Sequence, residues 1–298
     1  MRAFITGASG FVGGWLRAHL EEMGDEVAAL PDEIDIALPG IVEHLITEAA
    51  PEVIYHLAAL THVGRSWEEP SETFRVNVLG TIELLEAARK IDPTPRVVLV
   101  SSAEVYGAGN GAVIDESAPF LPVTPYAASK VAAEICGLQA YLGRDTGVVR
   151  VRPFNHIGPG QAEFFVVSAL AKRVVEAEMS GDHSVRVGNL SAERDFTDVR
   201  DVVRAYRMLA IAGVPGEAYN VCSGYTRSVS EIFDALRTRA AVEIEWHVDE
   251  TLFRPVDVER IIGSAAKLER LTGWRPEVGL DATVDDVLDN WRERLAPT

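Results

Sequence analysis

A glycine-rich turn directly after the first apolar run constrains the fold of this chain more than any other feature. Glycines stand at positions 7, 10 and 13, between a strand-like run at 3–5 and a helix-like pattern with apolar Trp15, Leu16 and Leu20. Such a turn lets the backbone approach a pyrophosphate, which the N-terminus of the following helix then holds. The spacing G-x-x-G-x-x-G differs from the standard fingerprint, so a simple tight turn is the alternative interpretation. The position between a strand and a helix favours a dinucleotide site formed by Gly7, Gly10, Phe11, Val12 and Gly13.

Apolar runs that read as strands recur through the first half of the chain and alternate with helix-like segments. After the first run they stand at 26–30, 53–59, 97–100 and 148–151. This alternation is typical of an open α/β sheet with parallel strands. Beyond about residue 160 the alternation loosens, and no flexible linker separates the two parts. In this second part we predict helices at 163–179, 199–211, 229–240 and 281–294, and short strands near 184–187, 217–221 and 243–247.

The composition and charge exclude several classes of protein. The 298 residues are 47% hydrophobic and 24% charged, as in an ordinary globular enzyme. The net charge of −17 repels polynucleotides, so we expect no nucleic-acid partner. No apolar run reaches the ~18 residues of a membrane span, and the N-terminus lacks a signal-peptide pattern, so we expect no membrane association. Two cysteines are too few for a disulfide framework, which predicts a cytoplasmic protein.

Two short segments in the middle of the chain carry the residues suited to redox chemistry. The first segment follows a buried apolar strand and contains Ser102 and Glu104. The second places Tyr126 and Lys130 four residues apart, on one face of a helix. A phenol with an ammonium beside it and a serine nearby can pass a proton to or from an alcohol during hydride transfer. The catalytic candidates are therefore Ser102, Tyr126, Lys130 and Glu104.

The end of the second strand predicts which nicotinamide cofactor is used. An acidic residue there binds the ribose hydroxyls of NAD, whereas an arginine binds the extra phosphate of NADP. Pro31 occupies the expected acidic position and Asp32 follows it, and no Lys or Arg occurs from Ala18 to Gly64. We therefore favour NAD(H) over NADP(H), although a basic residue that folds in from elsewhere would overturn this. Asp35 and Ile36 either reach the adenine or form a solvated loop pair.

The strand at 53–59 ends in small residues that leave room for a cofactor across its end. His56 within this strand reads as a packed residue and not as a catalyst. Thr61 and His62 follow in a loop that either faces a substrate or is an ordinary surface loop. The cofactor candidates outside the glycine turn are Asp32, Asp35, Ile36, Leu57, Ala58, Ala59, Asn77, Ser101, Tyr126 and Lys130.

Polar residues of the second half supply candidates for substrate binding. Asn155 follows a strand, the right place for a polar substrate contact. Arg194 and Arg254 are the best candidates for a diphosphate, although each alone is more often a surface arginine. Two amphipathic helices, near 71–90 and 126–144, either form a dimer seam or simply cover the sheet. We predict no metal site.

These motifs resemble the extended short-chain dehydrogenase/reductase superfamily, in its NAD-dependent epimerase/dehydratase group. The glycine turn, the strand at 56–59, Ser102, Tyr126 and Lys130 stand in the order that the family shows. The resemblance implies an α/β fold, with a doubly wound parallel-sheet Rossmann domain over 1–160 to which segments near 196–222 return. It also implies a smaller C-terminal α/β domain over 161–298 that binds a nucleotide-sugar, and a homodimer through two helices per subunit.

Within the superfamily, several segments resemble the reductases of GDP-4-keto-6-deoxy-D-mannose, and next the GDP-mannose 4,6-dehydratases. These segments are 152–161, 187–190, 194–201 and 219–224. The resemblance implies a GDP-linked sugar as the partner, with two arginines on its diphosphate and the segment 164–172 on its nucleotide. The substrate candidates are Thr61, His62, Ser102, Glu104, Tyr126, Asn155, Val166, Lys172, Arg194 and Arg254.

The resemblance also implies a mechanism for the reductase. Tyr126 gives a proton to the C4 oxygen, Lys130 lowers the pKa of the phenol and binds the nicotinamide ribose, and Ser102 hydrogen-bonds to the same oxygen. Three alternatives stay open. A dehydratase would use Glu104 to take the C5 proton, a 4-epimerase would recycle a resident NAD, and a regulator would bind NAD(P) without catalysis.

Overall fold

A six-stranded parallel sheet forms the centre of the molecule, as seen in a computed structural model that describes residues 1–108, 111–253 and 258–296. The strands in chain order are β1 Arg2–Thr6, β2 Glu26–Ala29, β3 Val53–His56, β4 Arg96–Val100, β5 Val148–Pro153, β6 Asn155–Ile157, β7 Ser184–Val187, β8 Glu193–Asp198, β9 Ala218–Val221, β10 Thr226–Ser228, β11 Glu245–Val248 and β12 Arg260–Ile261. The central sheet has the order β2-β1-β3-β4-β5-β9, and its neighbours all run parallel. Chain order reverses between β1 and β3, and open α/β sheets bind ligands beside such a switch point.

Helices cover both faces of this sheet because successive side chains of a strand point to opposite faces. The helices are α1 Phe11–Glu22, α2 Ile41–Ala49, α3 Val63–Glu68, α4 Pro70–Phe74, α5 Gly80–Ala88, α6 Pro125–Arg144, α7 Val166–Ser180, α8 Val199–Ala212, α9 Val229–Arg237, α10 Ala266–Thr272 and α11 Leu280–Leu295. In β1, Ala3 and Ile5 pack with α1 and α8, whereas Phe4 packs on the other side with α2 and α5. Burial on both faces explains why the strands read as continuous apolar runs.

A second apolar core lies among α7, α9 and α11 in the C-terminal half of the chain. Phe233 and Trp291 are buried in it together with Phe196 of β8. Strand β8 pairs with β6, β10 and β12, while β7 pairs with β11. After β8 the chain passes through α8, which packs against α1, and enters the central sheet again as β9. The predicted doubly wound α/β fold is confirmed, and the division of the chain near residue 160 stays a prediction.

Several elements differ from those expected. The segment 61–67, expected as a loop, contains most of the short helix α3. The helix expected over 71–90 is divided into α4, a π-helical turn at Arg75–Leu79, and α5. Strand β6 lies in a segment whose Gly and Pro content predicts no regular element, because parallel pairing with β8 holds it extended. Helix α10 and strands β8, β10 and β12 were not expected.

None of the helices within the described residues is both long and apolar enough to cross a bilayer. Both cysteines, Cys136 and Cys222, are free.

Candidate active site

The glycine turn brings the carboxyl ends of β1 and β3 unusually close together. Gly7 has a φ of +74°, and a Cβ atom there would lie 2.9 Å from the backbone nitrogen of Ala58. A Cβ atom on Gly13 would lie 2.0 Å from the carbonyl oxygen of Gly7. Only glycine fits at these two positions, so the start of α1 packs directly on the turn. Gly10, Phe11 and Val12 open this helix, whose N-terminal amides suit a phosphate.

A cavity of about 260 Å³ lies next to the turn at the sheet's switch point. Six of the predicted cofactor residues line it, namely Gly7, Asp32, Asp35, Ile36, Ala58 and Ala59. The remaining wall consists of Leu30, Pro31, Ile34, Leu60, Arg75 and Val76. An apolar cleft edged by carboxylates matches the adenosine half of a dinucleotide.

The polar side chains of this cavity are engaged with neighbours. Ser9 of the glycine turn donates a hydrogen bond of 2.5 Å to Asp32. Arg75 forms an ion pair of 2.7 Å with Asp35 and a second with Glu72. Arg75 is a basic residue that folds in from beyond the segment 18–64, and the sequence analysis missed it. The only indication of Arg75 in the sequence is its position in the helix that follows the third strand.

Tyr126 and Ser102 meet at the carboxyl end of β4. Thr124 caps α6 by accepting a hydrogen bond of 3.0 Å from the Ala127 amide, which fixes Tyr126 in the first turn. The Ser102 side chain lies close enough to the phenol of Tyr126 to act on its pKa. Burial, followed by the nearby charge of Glu104, raises the pKa of Tyr126 well above its ordinary value, while Ser102 opposes the rise. Tyr126 is therefore a neutral phenol at physiological pH, able to donate a proton.

Lys130 lies one turn further along α6, where its Nζ donates a 2.7 Å hydrogen bond to the carbonyl of Val100. Burial lowers the pKa of Lys130 to about 8, although Glu134 acts in the opposite direction. Beside it, the buried Oγ of Ser101 has no hydrogen-bond partner within the described part of the chain. An unpaired buried hydroxyl next to a lysine fits a site that a polar ligand completes.

Glu104 stands in the short 3₁₀ turn Ala103–Tyr106 that follows β4. Its backbone amide donates to the Ser102 side chain at 3.2 Å, and its carboxylate accepts from Thr124 at 3.4 Å. The carboxylate is close enough to act on the pKa of Tyr126. The structure thus brings all four catalytic candidates into one group.

Two of the polar residues near β3 are buried in structural contacts. Asn77 exchanges hydrogen bonds of 2.8 and 3.1 Å with the backbone of Leu60 and donates another to Ser129. It therefore fixes the loop after β3, and its contact with a cofactor stays a prediction. His56 is hydrogen-bonded to threonines on both ring nitrogens, and burial lowers its pKa to about 3, as its packed interpretation requires. Leu57 packs at the edge of the core beside α1.

Four of the predicted substrate residues lie in the loop after β3, on β6 and at the start of α7. Thr61 is exposed, and His62 caps α3 while its ring makes a tilted contact with that of Phe164, with 4.5 Å between the ring centres. This contact joins the loop after β3 to the segment before α7. Asn155 is exposed on β6, and Val166 begins α7.

The charged substrate candidates have partners of their own. Lys172 on α7 pairs with Glu163 and Glu176, and its Nζ lies 5.7 Å from the ring centre of Trp291. Arg194 on β8 is partly buried and donates to the carbonyl of Glu193. Arg254 lies outside the described residues. Among the residues that are described, no group of three His, Cys, Asp or Glu side chains is placed to hold a metal ion.

Comparison with known proteins agrees with this fold. Residues 32–287 match the family model described as GDP-mannose 4,6 dehydratase. GDP-6-deoxy-D-mannose reductase of Pseudomonas aeruginosa is 36% identical, over 99% of this chain and 98% of its own. The structure of RMD from Pseudomonas aeruginosa complexed with NADPH superposes with a TM-score of 0.90 at 35% identity, covering 99% of this chain and 100% of that one. UDP-glucose 4-epimerase of Thermus thermophilus, complexed with NAD, gives 0.88 at 29% identity over 98% and 99%.

The chain therefore belongs to the GDP-mannose 4,6-dehydratase family of the extended short-chain dehydrogenases/reductases. The resemblance seen in the sequence is confirmed, and so is the prediction of an enzyme of the nucleotide-sugar reductase, epimerase and dehydratase class.

Proposed function

We propose that this enzyme reduces the 4-keto group of GDP-4-keto-6-deoxy-D-mannose, with NADH as the hydride source. The observation that carries the proposal is the buried phenol of Tyr126, which lies near Ser102 and one helical turn from the anchored Lys130 at the end of β4. Reduction of a ketone needs a proton donor at its oxygen, whereas oxidation of an alcohol needs a base there. A neutral phenol carries the proton that the first task needs. The full-length similarity to a GDP-6-deoxy-D-mannose reductase supports the same direction and substrate.

The residues of the site divide the reaction between them. A bound reduced nicotinamide supplies the hydride that adds to C4. Tyr126 donates its phenolic proton to the C4 oxygen, which gives the alcohol, and it regains a proton from solvent. Ser102 holds the same oxygen by a hydrogen bond. Lys130, anchored on the carbonyl of Val100, stabilises the transient phenolate by its charge and binds the nicotinamide ribose.

The remaining assignments concern the sugar nucleotide. Asn155 and the start of α7 at Val166, with Lys172, hold the nucleotide, and Arg194 holds the diphosphate. Thr61 and His62 close the cleft beside the sugar, where the ring of His62 already contacts Phe164. GDP is favoured over other nucleotides by the family match.

NADH is favoured over NADPH because the adenosine cavity is edged by acidic groups. Asp32 and Asp35 both line it, and Arg75, the basic residue among the described lining residues, is already paired with two carboxylates. A 2′-phosphate there would meet net negative charge.

A second candidate function, GDP-mannose 4,6-dehydratase, is favoured by Glu104. A carboxylate that already acts on the pKa of Tyr126 is placed to take a proton from C5 once C4 has been oxidised. The description of the matching family favours the same reaction. A 4-epimerase with resident NAD ranks lower, and a regulator without catalysis lower still, because Ser102, Tyr126 and Lys130 are all present.

The proposed function is tested by following the near-ultraviolet absorbance of the reduced cofactor with GDP-4-keto-6-deoxy-D-mannose. We expect rapid, substrate-dependent loss of NADH and slower loss of NADPH. No loss with either cofactor, together with conversion of GDP-mannose to its 4-keto derivative in the presence of NAD, would overturn the reductase in favour of the dehydratase. Activity on neither sugar would direct attention to other nucleotide-sugars and to epimerisation.

We further propose a homodimer through α5 and α6. Exposed apolar side chains stand at Leu79 and Ile82, just before and within α5, and at Ile135 and Leu142, seven residues apart on α6. Residues at these spacings share a helix face, and a face of this kind favours burial against a second copy.

The dimer is tested by sedimentation velocity on Leu142→Glu. We expect the wild-type protein to sediment as a dimer and this variant as a monomer, because a buried carboxylate without a partner is costly. Ile211→Glu, at an exposed position on α8, serves as the control and should stay dimeric. A dimer that survives Leu142→Glu unchanged would contradict the assignment. The cytoplasmic location stays a prediction from the cysteine content.

A further inference from the structure

Arg75 lies on the wall of the adenosine cavity, and each of its three guanidinium nitrogens contacts a carboxylate oxygen. Its Nε and Nη2 donate to the two oxygens of Glu72 at 2.7 Å each, and its Nη1 lies 2.7 Å from Asp35. Fork-to-fork pairing of this kind holds an arginine in one geometry. The three side chains are between 35% and 42% exposed, so solvent reaches them and a ligand can compete for them.

The charges around the cavity do not balance. Asp32 and Asp35 line the wall directly, and Glu72 acts on it through Arg75. Three carboxylates therefore face one guanidinium. The hydrogen bonds of Arg75 lower the pKa of Glu72, and the Ala37 amide followed by Arg75 lowers that of Asp35, so both carboxylates stay ionised at neutral pH.

A 2′-phosphate on the adenosine ribose needs a guanidinium with free donors. An arginine near the end of the second strand of such a sheet is the usual recognition element for that phosphate. Here the guanidinium is present, but each of its three nitrogens already binds a carboxylate oxygen, which uses three of its five N–H donors. A ribose with a free 2′-hydroxyl makes no such demand.

We infer that Glu72 and Asp35 sequester Arg75 and thereby make the cavity select a dinucleotide with a free 2′-hydroxyl over one with a 2′-phosphate. Glu72 is thus a specificity-determining residue that never contacts the cofactor, and it acts through Arg75. This inference rests on the proposed function only for the class of cofactor. The inference predicts that removing one carboxylate weakens the preference for NADH over NADPH.

The test is equilibrium binding of NADH and NADPH, measured by nicotinamide fluorescence without any sugar substrate. Glu72→Gln removes the charge that engages two of the three guanidinium nitrogens while it keeps the side-chain shape. We expect the affinity for NADPH to rise about tenfold, the size of one released charge near a protein surface, with NADH changed by less than about threefold. In an Arg75→Met background the same substitution should raise NADPH affinity by no more than about threefold, because no guanidinium is left to release.

Glu86→Gln provides the matched control. Glu86 pairs with Arg89 at the same i,i+3 spacing, away from the cavity, so both affinities should stay at wild-type values. The inference is overturned if Glu72→Gln leaves NADPH binding unchanged, or if its gain persists in the Arg75→Met background. It is also overturned if the wild type prefers NADPH and Arg75→Met loses that preference, since Arg75 would then bind the phosphate directly. Failure of the proposed reductase would show separately, as bound NADH that is not consumed.

Discussion

Tyr126→Phe is expected to lower turnover of the 4-keto sugar by ~100-fold or more, the usual scale for a proton-transfer group. The substitution removes only the hydroxyl whose proton completes the reduction. Tyr126 is 8% exposed, and its ring remains packed at the start of α6, so the fold and the adenosine cavity should be unaffected. The measurement is steady-state turnover with NADH, paired with the dissociation constant for NADH from fluorescence.

The measurement of NADH binding shows whether a loss of turnover in Tyr126→Phe comes from the chemical step or from weaker cofactor binding. We expect the NADH dissociation constant to change by less than about threefold, because Tyr126 of α6 is not among the described residues that line the cavity around Asp32 and Ala58. Tyr225→Phe, at a position 72% exposed, is the control and should keep full activity. Turnover unchanged in Tyr126→Phe would refute the assignment of the proton donor. A parallel loss of NADH binding would show instead that the phenol holds the cofactor.

Local patterns in the sequence are sufficient to predict the strands that are buried on both faces of the sheet. The continuous apolar run at 97–100 indicates a strand that is buried on both faces. Glycine is required at positions 7 and 13 because the neighbouring backbone leaves no room for a side chain. Polar residues that end such strands meet at one edge of the sheet, which is why the sequence predicts Ser102 as a site residue. Tyr126 and Lys130 are predicted from their four-residue spacing on a helix, and the structure places both on α6. Their catalytic roles stay predictions.

The sequence pattern does not show which neighbours a side chain contacts in the folded protein. The absence of basic residues from 18 to 64 is a correct observation, yet Arg75 reaches the same cavity from the π-helical turn after α4. The sequence likewise does not show that the side chain of Asn77 binds the backbone of Leu60, and the assignment of Asn77 to the cofactor stays a prediction. Both positions lie in a segment with a clear helical period, and periodicity shows that a residue is on a helix without showing what it will contact.

A buried ionic network that the sequence analysis did not anticipate ties the catalytic helix to the sheet. Glu134 of α6 is fully buried and accepts hydrogen bonds from Arg150 at 3.1 Å and from Arg152 at 3.0 Å, both on β5. Arg152 also donates to the phenol of Tyr106, which in turn donates to Asn220 on β9. These contacts join α6, β5, β9 and the turn that carries Glu104. Lys130 and Glu134 stand one helical turn apart, and Glu134 raises the pKa of that lysine.

Glu134→Ala is expected to destabilise the protein by about 3–5 kcal/mol, because it leaves two guanidiniums buried without a counter-charge. The melting temperature should fall by several degrees, measured by circular dichroism. Glu134→Gln keeps the shape and part of the hydrogen bonding, so we expect a smaller loss and a folded protein. Glu86→Ala, which removes a half-exposed carboxylate paired with Arg89 and Arg144, is the comparison and should cost less than about 1 kcal/mol.

The comparison between the buried and the exposed glutamate decides what the network does. If Glu134→Ala costs no more than Glu86→Ala, the two arginines find other partners or water, and the network does not hold α6 to the sheet. If it costs several times more, the position of Lys130 and Tyr126 depends on an ion pair beneath them. In that case Glu134→Gln should also lower the pKa of Lys130, since the carboxylate that raises it is gone. NADH-dependent turnover would then begin to fall at a lower pH in this variant than in the wild type, because a neutral lysine no longer stabilises the phenolate.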